Sequence, residues 1–492
     1  MEHVLKIRER RAWLRNTATS SWALFLQQMG HTMSKQTELS PHDFGAIGDG
    51  VALDTLALQT AIDTCGKGNG GQVTLRAGHT YLSGSLRLRP GVIIHLEAGS
   101  ILLASDNYDD YAHHHLVGQV TKGVVAETVL PQRAFIVGYQ APGCGITGQG
   151  TLSGHGRGFI DSPGEHIHTM RAPRGGRFQY LERPYTVFLI DCDSAVFKDI
   201  HLDDPAFWAI RLTGCDNSVI TGITLTSDMK IPNADGIDID RCENVEISQC
   251  RITTADDCIS IKSCAGTSIY GDTTNIRISD CVLETLSGAI TIGTESAGLI
   301  ANVTAQRCEV RNSHRGFAVR AREGGLIKNV VFRDSHLLTF AFSPVWWGHG
   351  EALHVTAFRW SEPEQLGEGN PERTLFGEIE NVAFQNLTIT TEAGALCWAQ
   401  HRGLIRGVTF TNVKLSLVQH SPWPHRIDLR PNDVLPTVNR PHNAFDIFNS
   451  GGVTLSNVQV LWDQKSRDNY GEAIRSEESE VAISGLIVLP LA

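Results

Sequence analysis

Apolar and polar residues in this 492-residue chain alternate at a period of two, in short bursts that return at a longer period. From about residue 185, each unit opens on Val or Ile and places another apolar residue two positions on. A polar turn follows, and then a second apolar pair. The opening residues are Val196, Val219, Val245, Ile276, Val303, Val330, Val382, Val408, Val453 and Val481, and most gaps between them are 23 to 31 residues. The alternation is clear in Val245, Ile247 and Ile252, and again in Val382, Phe384, Leu387 and Ile389. Period-two alternation inside a fixed longer repeat predicts a β-solenoid with one coil per unit. The leucine spacing does not fit leucine-rich repeats. The wider gaps, 330 to 382 and 408 to 453, each hold an extra coil or a long loop.

Before the repeats, residues 54–65 predict a short amphipathic helix. Asp54 is placed to cap it, and Leu56, Leu58, Ala61 and Ile62 form an apolar face. A helix there can cover the first coil of a solenoid, whose bare edge would otherwise invite aggregation. Strands are expected at 73–75, 81–88 and 92–96. Residues 108–182 are rich in His, Gly and polar residues and read as loops. Two insertions, 340–375 and 418–445, carry Trp, Pro and His. Long insertions on a rigid scaffold usually serve binding. A solenoid grows by adding coils, so the length calls for one extended domain over 38–492. Residues 1–37 read as a disordered N-terminal extension. They hold Arg8, Arg10, Arg11 and Arg15 but no run long enough to span a membrane and no export signal. The expected location is therefore cytoplasmic.

Composition narrows the function. A net charge of -11 argues against nucleic acid as a partner. An acidic polymer can still bind through a local cluster of cations. The 11 cysteines contain no CxxC pair, which argues against structural zinc. Cys192, Cys215, Cys242 and Cys264 recur at 23, 27 and 22 residues and read as a buried column.

The most informative chemistry lies in three aspartates. Asp235 sits in Asn233-Ala234-Asp235-Gly236-Ile237-Asp238, and Asp256 and Asp257 follow it by 21 and 22 residues. If one repeat is one coil, the three stack on neighbouring strands about 4.8 Å apart. Crowded carboxylates repel, so a fold gathers them for a chemical reason. Adjacent residues on a flat strand face opposite ways, so a bend is expected at Asp256 and Asp257. Asp238 and Asp240 read as structural turn residues.

Asn-x-Asp-Gly-Ile-Asp, followed one coil later by Asp-Asp-Cys-Ile-x-Ile-Lys-Ser, resembles the polygalacturonase family of glycoside hydrolases, family 28. Asp43-Phe44-Gly45-Ala46 with Gly48-Asp49-Gly50 is similar to the opening of pectin-degrading β-helices. Trp347-Gly348-His349-Gly350-Glu351 is similar to a bacterial branch of the family. The resemblance implies a right-handed, pectin-lyase-like parallel β-helix. It also implies inverting hydrolysis of galacturonate-containing pectic chains, with Asp256 as general acid and with Asp235 and Asp257 activating water. Asn233, Lys262, Arg320, Arg322, Trp347 and His349 are the substrate-binding candidates. Neither a metal nor an organic cofactor is implied, and neither nucleic acid nor membrane is expected as a partner. Phe207, Trp208 and Trp346 are aromatic residues that could either support a sugar face or seal a loop.

Two positions depart from the family pattern. Ser287-Gly288-Ala289 stands where Gly-His-Gly is usual, and Ala318-Val319-Arg320 where Arg-Ile-Lys is usual. These departures keep rhamnogalacturonan hydrolysis open. Two readings of another class are a uronate lyase using calcium and a non-catalytic carbohydrate-binding solenoid. Exo-action is expected, because the long insertions can close one end of a groove.

Overall fold

The computed structural model describes residues 37–112, 133–159, 183–342, 346–363 and 371–491; the N-terminal extension expected over 1–37 falls almost wholly outside them. The chain winds into a right-handed parallel β-helix. A 23-stranded and a 12-stranded sheet wrap one continuous apolar core. The pairing between coils is parallel, and the exception among the described residues is the small antiparallel pair Ile427–Asp428 with Thr437–Val438.

Strict register makes the core. Phe197, Ile220, Ile247, Ile278, Ala305, Phe332, Phe384, Phe410 and Leu455 stack coil upon coil. The rings of Phe332, Phe384 and Phe410 lie parallel at 5.4 and 5.2 Å. The register also corrects the repeat phase. Val245 to Val408 do form an inward column, but Val219 pairs with Glu246, and Val196 and Val219 are half-exposed. In those two early coils the inward residues are Phe197 and Ile220. Both wide gaps are long loops rather than extra coils: Leu326–Thr339 pairs directly with Glu378–Thr391, and Ile405–Leu417 with Val453–Trp462.

The expected helix is Thr55–Lys67, and it buries Ala57, Leu58, Ala61, Ile62 and Cys65. Leu56 points outward instead, at 81% exposure. Asp54 makes no side-chain cap; its carboxylate accepts the N–H groups of Ile47 and Gly48 at 2.7 and 2.9 Å and pins the preceding turn. Cys192, Cys215 and Cys242 do form a column linked through backbone N–H to sulfur contacts. Cys264 lies apart, among Tyr185, Phe188 and Trp208 on the outer side of the 12-stranded sheet.

A ladder of asparagines marks one corner of the helix. Asn217, Asn244, Asn275, Asn302, Asn329 and Asn381 pass side-chain amide bonds from coil to coil at 3.1 to 3.3 Å. Each has a φ between 55° and 58°, a left-handed turn that Asn tolerates and most residues do not. Asn329→Ala removes two of these bonds and places a Cβ-bearing, non-bonding residue in that turn. It should cost about 1–2 kcal/mol in chemical denaturation. Asn329→Gly, which suits the turn, should cost less; an equal loss would show that the turn conformation is irrelevant.

Candidate active site

Asp235 lies just before the strand Ile237–Asp240, and Asp256 and Asp257 just before its neighbour Ile259–Ser263. Parallel register sets Ile237 against Ile259. The Gly236 N–H donates to the Asp257 carbonyl at 2.9 Å, so the two acidic turns are tied together. One carboxylate oxygen from each of Asp235, Asp256 and Asp257 lies within 4.8 Å of the other two.

The expected bend is present at residues 255–256. Thr254 and Thr285 both donate their hydroxyls to the Asp256 carbonyl, at 2.6 and 2.5 Å. The Asp257 N–H donates to the Asp256 carboxylate at 2.9 Å. These bonds turn two adjacent side chains into one cluster.

The three carboxyl groups are not equivalent. Asp257 Oδ1 accepts the Ser287 hydroxyl and the Gly288 N–H, both at 2.8 Å. Its Oδ2 faces Ser260 at 3.3 Å and Arg320 at 3.4 Å. Burial pushes this carboxyl up, but Arg320, Lys262 and the donors outweigh it and hold Asp257 below the usual range. Burial, and then the negative charge of Asp257, push Asp256 up to about 7. Burial, followed by the charges of Asp256 and Asp238, lifts Asp235 well above its ordinary value. The arrangement can thus hold a proton on one carboxyl while its neighbour stays ionised.

Gly288 explains one departure from the family motif. A Cβ at this position would meet Asp257 Oδ1 at 2.8 Å and Thr291 Oγ1 at 2.5 Å. The Asp257 carboxylate occupies the space a side chain would need, and the Gly288 N–H binds it directly.

Lys262 donates to Glu295 at 2.9 Å and sits 3.6 Å from Asp238. Its ammonium lies 4.8 Å from the centre of the Trp208 ring. Phe207 and Trp208 are both buried and stacked at 5.7 Å, so they seal the scaffold rather than face solvent.

The structure brings some of the expected site residues together and separates others. Arg320 and Lys262 join the aspartates. Asn233 sits half-buried in the turn two residues before Asp235, with a φ of 55°. Arg322 corrects an expectation. It is wholly buried and gives its donors to Thr356 and to the carbonyls of Ala321, Thr356, Leu429 and Pro431. Its place is as an anchor for the 418–445 insertion, not as a substrate contact. His349 is also buried, with its ring 5.3 Å from His442 under that insertion. Trp347 is half-buried and stacks on Trp346 at 5.4 Å.

Two residues of the site were not anticipated. Asp238 was read as a structural aspartate, yet it is buried beside Lys262 and burial raises it to about 7. Its alternation with Ile237 and Ile239 was the available signal, since inward isoleucines put it outward. Glu295 follows a shift of register between Ile261 and Ser263, which no pattern in the sequence announces. Asp240, by contrast, is structural: it accepts from Cys264 N–H and Thr267 and pairs with Arg211.

Comparison with known proteins bears on this acidic cluster. The family model "Glycosyl hydrolases family 28" matches residues 108–346, which contain all three aspartates. By this match, the middle of the chain is similar to glycosyl hydrolases family 28. Among curated relatives, a probable polygalacturonase from Vitis vinifera is 28% identical over 61% of this chain and 61% of its own length. An exo-poly-alpha-D-galacturonosidase from Dickeya chrysanthemi is 22% identical over 61% of this chain and 54% of its own length. The chain thus spans about three-fifths of the curated relatives it first matches. The solved family 28 exopolygalacturonase of Yersinia enterocolitica superposes with a TM-score of 0.64 over 92% of this chain and 78% of that one. At 18% identity, that likeness concerns the fold.

Proposed function

We propose that this chain hydrolyses α-glycosidic bonds in galacturonate-containing pectic poly- or oligosaccharides, from a chain end and with inversion. The observation that carries the reading is the unequal acidic trio. Asp256, with its carboxyl near 7, protonates the leaving oxygen. Oxygens of Asp235 and Asp257 within 4.8 Å of each other can share one water between them. Asp257 then takes the proton from that water. Both Asp257 oxygens already accept protein donors, which favours a water over Asp257 itself as the attacking group. The spacing is tighter than the roughly 6.5–9.5 Å usual between inverting carboxyl groups, so the anomeric outcome is a decisive readout.

Exo-action draws support from the 418–445 insertion. Its Ile427 and Leu429 pack on Phe358, Leu396, Trp398 and Phe448 and cover the outer face of the later coils. The names of the Dickeya and Yersinia relatives point the same way.

Three converging carboxylates also suit a cation, which is the one feature favouring a calcium-dependent lyase. Calcium prefers six to eight oxygen ligands, whereas Arg320 and Lys262 already supply positive charge here. Proton NMR of products from a panel of pectic oligosaccharides tests the proposal. Saturated products released from one end with inverted anomeric configuration are expected, and a chelator should leave the rate unchanged. An unsaturated, ultraviolet-absorbing product would replace hydrolysis by elimination. Faster cleavage of rhamnogalacturonan fragments than of polygalacturonate would replace the substrate.

A further inference from the structure

The two ends of the solenoid differ. At the first coil, the helix Thr55–Lys67 lays Leu58, Ala61 and Ile62 over the core. The last described coil has no such cover. Its strand Val481–Pro490 pairs with Val453–Trp462 on one side, and no described strand pairs with the other side. Ile474–Glu477 is likewise the last strand of the 12-stranded sheet.

Register fixes which way these side chains point. Val481, Ile483, Leu486 and Val488 continue the inward column of Val453, Leu455, Val458 and Val460, and Ile474 continues that of Phe445. Yet Ile483 and Val488 are 52% and 46% exposed, because no further described coil lies on them. Ile487 and Leu489 add exposed apolar area on the outer side. From Val481 to Leu489 the strand has no charge and no proline, the devices that commonly keep an edge from pairing. This end therefore offers bare backbone groups and bare apolar core together, a combination that soluble repeat proteins cover.

Charges beside the apolar face indicate what covers it. Ile474 and Ser476 face inward, so Arg475 and Glu477 face outward, where they pair along the strand at 2.7 Å. If this strand meets its own copy antiparallel, with the two-fold axis at Ser476, Arg475 stands across from the partner's Glu477, and the contact occurs twice. On the longer strand, the same arrangement sets the inward Val481 and Ile483 of one copy against inward Leu486 and Val488 of the other. We propose that this edge is the contact of a two-fold dimer in which two copies of the chain join their β-helices end to end. It lies six strands beyond Ile259–Ser263 in the 12-stranded sheet, remote from the acidic cluster.

Sedimentation of the full chain over a range of concentrations tests the proposal. A reversible dimer at about micromolar concentration is expected. Ile483→Lys, which puts a charge into the contact, should raise the dissociation constant about a hundredfold or more. Arg475→Glu and Glu477→Arg each place like charges across the axis, so each alone should weaken the dimer about tenfold. Mixing these two variants in equal amounts should restore it, because every opposed pair is then of opposite sign. The two charge variants keep the test decisive if Ile483→Lys fails to fold. A chain that stays monomeric at about 100 μM, a dimer that ignores all three substitutions, or an open-ended assembly larger than a dimer would each overturn the proposal.

Discussion

Asp256→Asn is expected to lower turnover on galacturonate oligosaccharides by about 10²–10⁴-fold while leaving the chain folded. The carboxamide keeps the shape of the side chain and accepts the Asp257 N–H in its place, but it has no proton to give. The same change should stabilise the protein, and only on the alkaline side. The folded chain raises Asp256 from 3.8 to about 7, so between these values the folded state binds more protons than the unfolded one. Stability from this group is therefore full at low pH and lost as pH rises through about 7. Asparagine removes that loss. Asp256→Asn should unfold at the parent's temperature at acidic pH and a few degrees higher at pH 8, a gain on the order of 1–2 kcal/mol. In the unmodified enzyme, activity should fall as pH climbs through the same region. A variant that kept near-normal turnover would remove Asp256 from the chemistry.

Lys262→Met should be the most damaging single change to the scaffold at the site. Its ammonium lies between Glu295 and Asp238, and all three groups are buried. Removing one partner of a buried ion pair leaves the remaining charge with neither water nor counter-ion, at a cost of about 3–5 kcal/mol. Glu295, which Lys262 holds below its usual range against the pull of burial, should then take up a proton. The loss should be visible as a lower denaturant midpoint. Adding Glu295→Gln should restore part of it, because the orphaned charge goes with the carboxylate. A loss under about 1 kcal/mol would mean that water already reaches the pair.

The coil architecture was legible because period-two alternation survives in each unit even where unit length varies. The phase was less legible. Val196 and Val219 look like the later opening valines, but only pairing partners reveal that Phe197 and Ile220 face the core. The acidic trio was legible from spacing alone, since parallel register converts about one repeat into one strand separation. What spacing could not convey was inequality. The difference between Asp256 and Asp257 comes from Ser287, Gly288 and Arg320, which arrive from the next two coils. Arg322 was misread for a related reason. An arginine two residues from a site looks available until the distant 418–445 insertion folds back and gives it carbonyls to bind. His349 fell under the same cover.

The long excursions leave the stack without disturbing the register between Leu326–Thr339 and Glu378–Thr391. Each coil in such a solenoid answers mainly to the coils directly above and below it. Loop length and loop chemistry can therefore drift over generations while the acid cluster stays undisturbed. Variation in these loops is uncoupled, by construction, from the geometry of the acidic cluster.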